Sequence, residues 1–376
     1  MGVGESGGTG ESGGAGESGA GEEGRARARA RARGAGRVRR VLLALVVAVA
    51  VVAPLAAFAR PQIPAPAPAV LPPVTAATLD EAYAANRANA AEAARMAAAN
   101  GDRKRAAADR SMAVSTRRFL SFDGRGTGQA VEVFGDLAHA DRVAVLVPGS
   151  DTTLDTYDRF RAGATALMDE VATRSPEGGH RTRTARAAHT AVVSWLGYET
   201  PRTISTTVLT TGRAESAAPR LESFVRELRG LVGQDARISL LCHSYGSVVC
   251  ARTAERADRQ GAGLQGTGLQ GEARVDDIVL IGSPGTGADS AAALHTSARV
   301  WAGRGAGDWI ADVPHAGADL FGTTVGFGTD PVSPAFGARV FAAGDGGHSD
   351  YFRPGSVSLD NLARIVLGDT SEVTRA

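Results

Sequence analysis

Ser244 stands at a corner whose neighbours could make it a nucleophile. Before it, Ile238 to Leu241 is a short β-branched and aliphatic run of the kind that forms a buried strand. After it, Gly246 to Asp258 offers Val248, Val249, Ala251 and Ala254 to one face of a helix. Cys242-His243-Ser244-Tyr245-Gly246 must therefore turn from strand to helix within a few residues. A serine at such a tip projects its Oγ above the sheet, and the next N–H, that of Tyr245, points to where negative charge develops on an attacked carbonyl. Strand and helix crowd at the corner, so small residues are needed two before and two after the serine. Gly246 meets this need, and Cys242 stands where glycine is usual. The spelling G-x-S-x-G also occurs at Gly4-Glu5-Ser6-Gly7-Gly8 and Gly10-Glu11-Ser12-Gly13-Gly14, but neither copy follows an apolar strand or opens a helix.

Acyl transfer through a serine needs a base, a carboxylate to orient the base, and donors for the oxyanion. Seven histidines are candidates for the base. His139, His180 and His189 precede the corner, His243 is expected to leave it in another direction, and His295 lies in a helix-prone run. His315, in a loop after a late strand, is the rival to His348, which follows the last strand and lies between Gly346-Gly347 and a closing helix. His348 is the expected base. Asp308, past the penultimate strand and before Trp309-Ile310, is the expected acid, with Asp289 as runner-up. The backbone N–H groups of Ser150 and Tyr245 are the expected oxyanion donors, with Pro148-Gly149 allowing close approach and Asp151 expected to cap the following helix. No Cys/His/carboxylate cluster has metal-ligand spacing and no phosphate-binding glycine loop is present, so no cofactor is expected.

The elements that must position these residues alternate from Arg118 onward. Phe119–Phe122 and Ala130–Phe134 read as an opening hairpin across Asp123-Gly124-Arg125-Gly126. Strands follow at 142–147, 191–195, 238–241, 277–281, 299–302 and 338–342. Between them, helices show apolar stripes at Tyr157–Val171 and from Pro219 to Leu231, and a last one runs from Ser356 to Gly368. Such alternation needs a mostly parallel sheet with helices on both faces, and sites in such sheets gather at the carboxyl ends of the strands. Ser150, Ser244, Ser283, Asp308 and His348 all fall just past strand ends, in the chain order Ser…Asp…His that α/β-hydrolases use.

Ala140–Ser150, His243-Ser244-Tyr245-Gly246, Gly282-Ser283-Pro284-Gly285 and Gly347-His348-Ser349 together resemble the bacterial α/β-hydrolase family known as DUF1023, over roughly residues 115–368. The resemblance implies the α/β-hydrolase fold and its machinery, and it names no substrate. Cys242 departs from the family pattern, which has glycine there.

Around this domain, at 118–368, the chain is low in complexity. Residues 1–40 are Gly/Glu/Ser repeats and then an arginine run, a composition that cannot bury a core. Residues 41–59 are uncharged, about 28 Å long as a helix, and read as a transmembrane anchor or signal segment. The arginines before it put the N-terminus inside and the rest outside. Pro54 and Ala57-Phe58-Ala59 resemble a cleavage site, and Arg39-Arg40-Val41-Leu42-Leu43 is compatible with a twin-arginine signal, whereas the long preceding segment favours an anchor. Residues 60–75 are a proline-rich linker, 76–117 are Ala-rich helices expected to pack weakly, and 369–376 form a tail. Of the 41 basic residues only Lys104 is lysine, and the net charge of +1 implies no polyanionic partner and no nucleic acid. Cys242 and Cys250 are expected too far apart to bridge and are read as small buried hydrophobes.

The expected function is that of an exported serine hydrolase acting on carboxylic esters, at the membrane or secreted. An acyltransferase with the same triad, or a binding protein that keeps the fold without turnover, are the alternatives.

Overall fold

The computed structural model describes residues 63–174, 189–205, 210–261, 274–313, 318–320 and 323–376. Residues 41–59, read above as an anchor or signal segment, lie outside them, and no described helix is long and apolar enough to cross a membrane. The described residues belong to one compact unit, Ile63–Ala376.

Ten strands and six α-helices are described. The strands are β1 (Phe119–Asp123), β2 (Gln129–Phe134), β3 (Arg142–Val147), β4 (Thr190–Leu196), β5 (Arg237–His243), β6 (Asp277–Ile281), β7 (Arg299–Gly303), β8 (Ala318–Leu320), β9 (Thr323–Val325) and β10 (Arg339–Val340). The helices are α1 (Leu79–Ala99), α2 (Arg103–Met112), α3 (Tyr157–Arg174), α4 (Gly212–Leu231), α5 (Gly246–Gly261) and α6 (Val357–Leu367). Eight strands form one sheet in the order β1-β2-β4-β3-β5-β6-β7-β10, and β8-β9 form a separate hairpin. The β1/β2 and β2/β4 pairs are antiparallel, and every other pair in the large sheet is parallel.

Side chains along a strand point alternately to opposite faces, so a strand buried on both sides feeds two cores. Val143, Val145 and Val147 of β3 enter one core with Ile238, Leu240 and Cys242 of β5 and the inner faces of α4 and α5. Ala144 and Leu146 enter the other with Leu241, Val279 and the apolar faces of α3 and α6. The sheet is thereby covered on both faces.

Three expectations are corrected. The Ala-rich helices do not pack weakly: Ala90 and Ala93 of α1 are fully buried in a third cluster with Phe119, Phe122 and Leu196. Small side chains let the helix lie close to the sheet, and Asn86 donates from its amide to the carbonyls of Phe119 and Leu120. Arg117, just after α2, forms a buried bidentate pair with Glu132 of β2. Next, the helix expected from Pro219 begins at Gly212, with Pro219 inside it. Proline forfeits one ladder hydrogen bond there, and the buried stripe Ala214, Ala217, Ala218, Leu221 and Val225 outweighs that loss.

The third correction is chemical. Cys242 and Cys250 form a disulfide, with Cα atoms 6.5 Å apart, inside the span such bridges cover. By strand alternation Cys242 points toward the face that α5 covers. The corner turns α5 back across β5, which brings its second turn over that side chain.

Candidate active site

The corner after β5 carries Ser244 at φ +55°, a left-handed conformation that L-residues rarely adopt. Three hydrogen bonds hold it. The Ser244 N–H donates to the Ile281 carbonyl of the neighbouring strand, the Ser247 N–H donates to the Ser244 carbonyl, and Ser247 Oγ donates to the Cys242 carbonyl. Close approach explains two glycines. A Cβ on Gly246 would lie 2.5 Å from the Val147 carbonyl oxygen, and one on Gly149 would lie 2.6 Å from Ser244 Cβ. The loop after β3 therefore lies directly against the serine.

Three side chains expected to act together do meet. His348 Nε2 is 2.9 Å from Ser244 Oγ, and His348 Nδ1 is 2.9 and 3.0 Å from the two oxygens of Asp308. Asp308 follows β7 and its side chain is fully buried. Its carboxylate also accepts from the Ile310 N–H at 2.9 Å and from the Tyr351 hydroxyl at 2.5 Å. Burial pushes this carboxyl upward, but the hydrogen bonds from His348, Tyr351 and Ile310 outweigh it and hold it below the usual carboxylate range. Asp308 thus faces the imidazole as an anion. The loop that carries His348 is tied by the Gly347 N–H, which donates to Asp350 at 2.8 Å.

The loop after β3 and the corner bring the expected oxyanion donors to the same edge of the sheet. Among the described residues neither the Ser150 N–H nor the Tyr245 N–H has a hydrogen-bond partner, so both remain available to an incoming oxygen. Tyr245 is fixed at its far end, where its hydroxyl donates to the Thr210 carbonyl at 2.7 Å and accepts from the Ala214 N–H. Asp151 does not cap the next helix. Its own φ is +58°, and its carboxylate accepts from the Thr203 N–H across the loop.

The other candidates are placed apart. Asp289 is exposed and near Gly328. His139 pairs with Asp136 on the surface, and His189 and His295 are exposed. His180 and His315 lie outside the described residues.

Two residues that sequence reasoning missed are in contact with this group. His243 does not leave the corner in another direction; its ring centroid is 4.8 Å from that of His348, and its Nε2–H donates to the His348 carbonyl at 2.7 Å. A residue adjoining the serine on a strand that ends under the His348 loop was the available signal. Burial, and then the neighbouring His348, lower His243 to about 4, so it is a neutral donor. Tyr351 was hidden in the polar run after Gly346; its hydroxyl bridges the Asp308 carboxylate and the Gly305 N–H. Trp309, half-exposed, places its ring 4.8 Å from that of His348.

A cavity of about 440 Å³ is lined by Tyr198, Thr210, Arg213, Ser216, Ala217 and Arg220, at the Thr210 end of the Tyr245 side chain rather than at Ser244. Another of about 450 Å³ lies among Arg237, Arg274, Asp276 and Arg299, at the amino ends of the strands and so at the opposite edge of the sheet from Ser244. Among the described residues no group of His, Cys, Asp and Glu side chains could hold a metal ion.

A mostly parallel sheet with a strained serine corner and a Ser–His–Asp hydrogen-bond chain is the pattern of an α/β-hydrolase. The alpha/beta hydrolase family model matches residues 123–318, and the chain belongs to that family. Among curated proteins it is similar to the uncharacterized protein Rv2079 of Mycobacterium tuberculosis, 28% identical over 65% of this chain and 37% of that protein. It is also similar to the uncharacterized protein Mb0988c of Mycobacterium bovis, 30% identical over 40% of this chain and 50% of that one. The chain thus spans between about a third and a half of these relatives' length. Among solved structures, esterase PE8 aligns at TM-score 0.37 and 17% identity, covering 63% of this chain and 96% of that one. A serine hydrolase involved in carbazole degradation aligns at TM-score 0.33 and 10% identity, covering 65% and 95%.

Proposed function

We propose that the protein is an exported serine esterase that works through an acyl-enzyme on Ser244, within the narrower family resemblance noted in the sequence. The observation that carries this reading is the unbroken chain from Ser244 Oγ through His348 to Asp308. In the proposed reaction His348 Nε2 takes the Ser244 proton as Oγ attacks the ester carbonyl. The Ser150 and Tyr245 N–H groups receive the oxyanion, and His348 then passes the proton to the departing alcohol. Water repeats the sequence in reverse and releases the acid. Asp308 holds the imidazole in the tautomer with the proton on Nδ1 and stabilises the imidazolium.

Export is supported by residues 41–59 and by the disulfide, since such bonds persist in oxidising compartments and are rare in the cytosol. A modest acyl site is inferred from the loop segments 196–218 and 311–337, which follow strand ends and could roof Ser244. Of their apolar side chains Tyr198, Phe327 and Phe336 are buried, Phe327 edge-on against Tyr245, and Phe321 lies outside the described residues.

Hydrolysis of an ester series of increasing acyl length tests the reading. Short and medium chains are expected to turn over faster than long ones. Asp308→Asn is expected to lower kcat about ten-thousand-fold, with Asp289→Asn within about tenfold of wild type. The reverse ranking of the two aspartates, or faster turnover of long-chain esters in matched detergent, would contradict it.

A further inference from the structure

The disulfide brackets the nucleophile. Cys242 lies two residues before Ser244 and Cys250 six after it, so the bridge closes a short loop with the strained residue inside. Both cysteines are fully buried, in the same core as Tyr245, Val248 and Val249. On its other sides the corner has no slack either. Gly149 and Gly246 already touch Ser244 and the end of β3 as closely as backbone allows. Elsewhere in this fold a glycine at the Cys242 position lets helix and strand crowd together without a side chain. Here a side chain fills that space and is bonded to the helix.

We propose that the Cys242–Cys250 disulfide is a positioning device for Ser244: closed, it holds Oγ at His348 Nε2, and opened to two thiols it leaves the protein folded but slow to acylate. The proposal rests on the reading of Ser244 as the nucleophile. Its physical basis is volume. Two unbonded thiol sulfurs need more room than a bonded pair, and the closely packed interior around them has none to spare. The start of α5 must then move away from β5, carrying the Ser247 tie to Cys242 and Ser244 with it. Oγ sits 2.9 Å from its base, and misplacement by about 1 Å can cost about a hundredfold in rate.

The consequence is latency. The cytosol keeps thiols reduced, so the newly made chain carries two thiols and a loose corner. In an oxidising compartment, exchange with a disulfide-bearing oxidant closes the bond. Two thiol hydrogens and their electrons pass to the oxidant, which leaves as its dithiol.

The test compares the rate at which an activated fluorophosphonate labels Ser244 in the full chain. Oxidised wild type is compared with protein reduced by dithiothreitol, reduction being confirmed by a mass gain of two hydrogens and folding by circular dichroism. Two variants remove the dependence on redox handling: Cys250→Ser, which puts an unbonded thiol and hydroxyl where the bond was, and Cys242→Gly with Cys250→Ala, which restores the usual small residue and relieves the crowding. Reduced protein and Cys250→Ser are expected to label about ten- to a hundredfold more slowly than oxidised wild type. In ester hydrolysis the loss should fall on kcat with KM nearly unchanged, and the double variant should recover most of the rate. Equal labelling of folded reduced and oxidised protein would overturn the proposal while leaving the esterase reading intact, as would free thiols in the active protein. Absence of labelling in the oxidised protein would overturn both.

Discussion

His348 is held from three directions: Asp308 on Nδ1, Ser244 on Nε2, and His243 beneath its main-chain carbonyl. The last contact has a consequence for stability. Burial, then the neighbouring His348, lower His243 from 6.5 to about 4. As pH falls below about 6.5 the unfolded chain takes up a proton that the folded chain refuses until about 4, so folding stability falls across that window, by at most about 3 kcal/mol. Replacing His243 with glutamine removes the titrating group and is expected to flatten this part of the profile. Denaturant unfolding at pH 7 and pH 4.5 measures it, and an unchanged slope in His243→Gln would show that other groups set it. The hydrogen-bonded grouping of Ser244, His348 and Asp308 was legible in the sequence because each follows a strand end in the order Ser, Asp, His. His243 and Tyr351 were not, because their roles depend on which loop the fold lays over them. The cysteine pairing was hidden for the same reason: separation along the chain says nothing about a helix folded back across its own strand.

Among the elements, α1 and α2 show most clearly what composition conceals. Alanine-rich stripes look too weak to bind, yet α1 presses directly on β1 because its side chains are small. Asp109 of α2 is almost fully buried, and one of its oxygens has no hydrogen-bond partner among the described residues. Burial raises its carboxyl to about 7 despite Arg105 beside it, with Asp155 and Asp102 pushing the same way. The folded chain therefore keeps a proton that the unfolded chain loses between 3.8 and about 7, and this residue makes stability fall as pH rises through that window. Asp109→Asn is expected to be more stable than wild type at pH 8 and nearly equal to it at pH 4. Thermal unfolding at the two pH values checks this, and greater stability of wild type at pH 8 would contradict it. The strands were easier to read than these helices, since β3 and β6 are apolar throughout after their first residue, a pattern that a sheet buried on both faces uses.

For the whole molecule, the described unit is an α/β-hydrolase preceded by a charged and apolar N-terminal segment. The proposed export joins that segment to the disulfide. An activity reporter fused after residue 75 is expected to work outside the membrane, and reporter activity confined to the cytoplasm would remove export from the account. The central claim, that Ser244 is the nucleophile of an α/β-hydrolase, is tested most directly by mass spectrometry of the oxidised protein after reaction with an activated fluorophosphonate. One adduct mapped to Ser244, absent from Ser244→Ala and slowed in His348→Ala, is the result expected. A folded wild-type protein that takes up no adduct, or carries it on another serine with Ser244→Ala fully reactive, would contradict it.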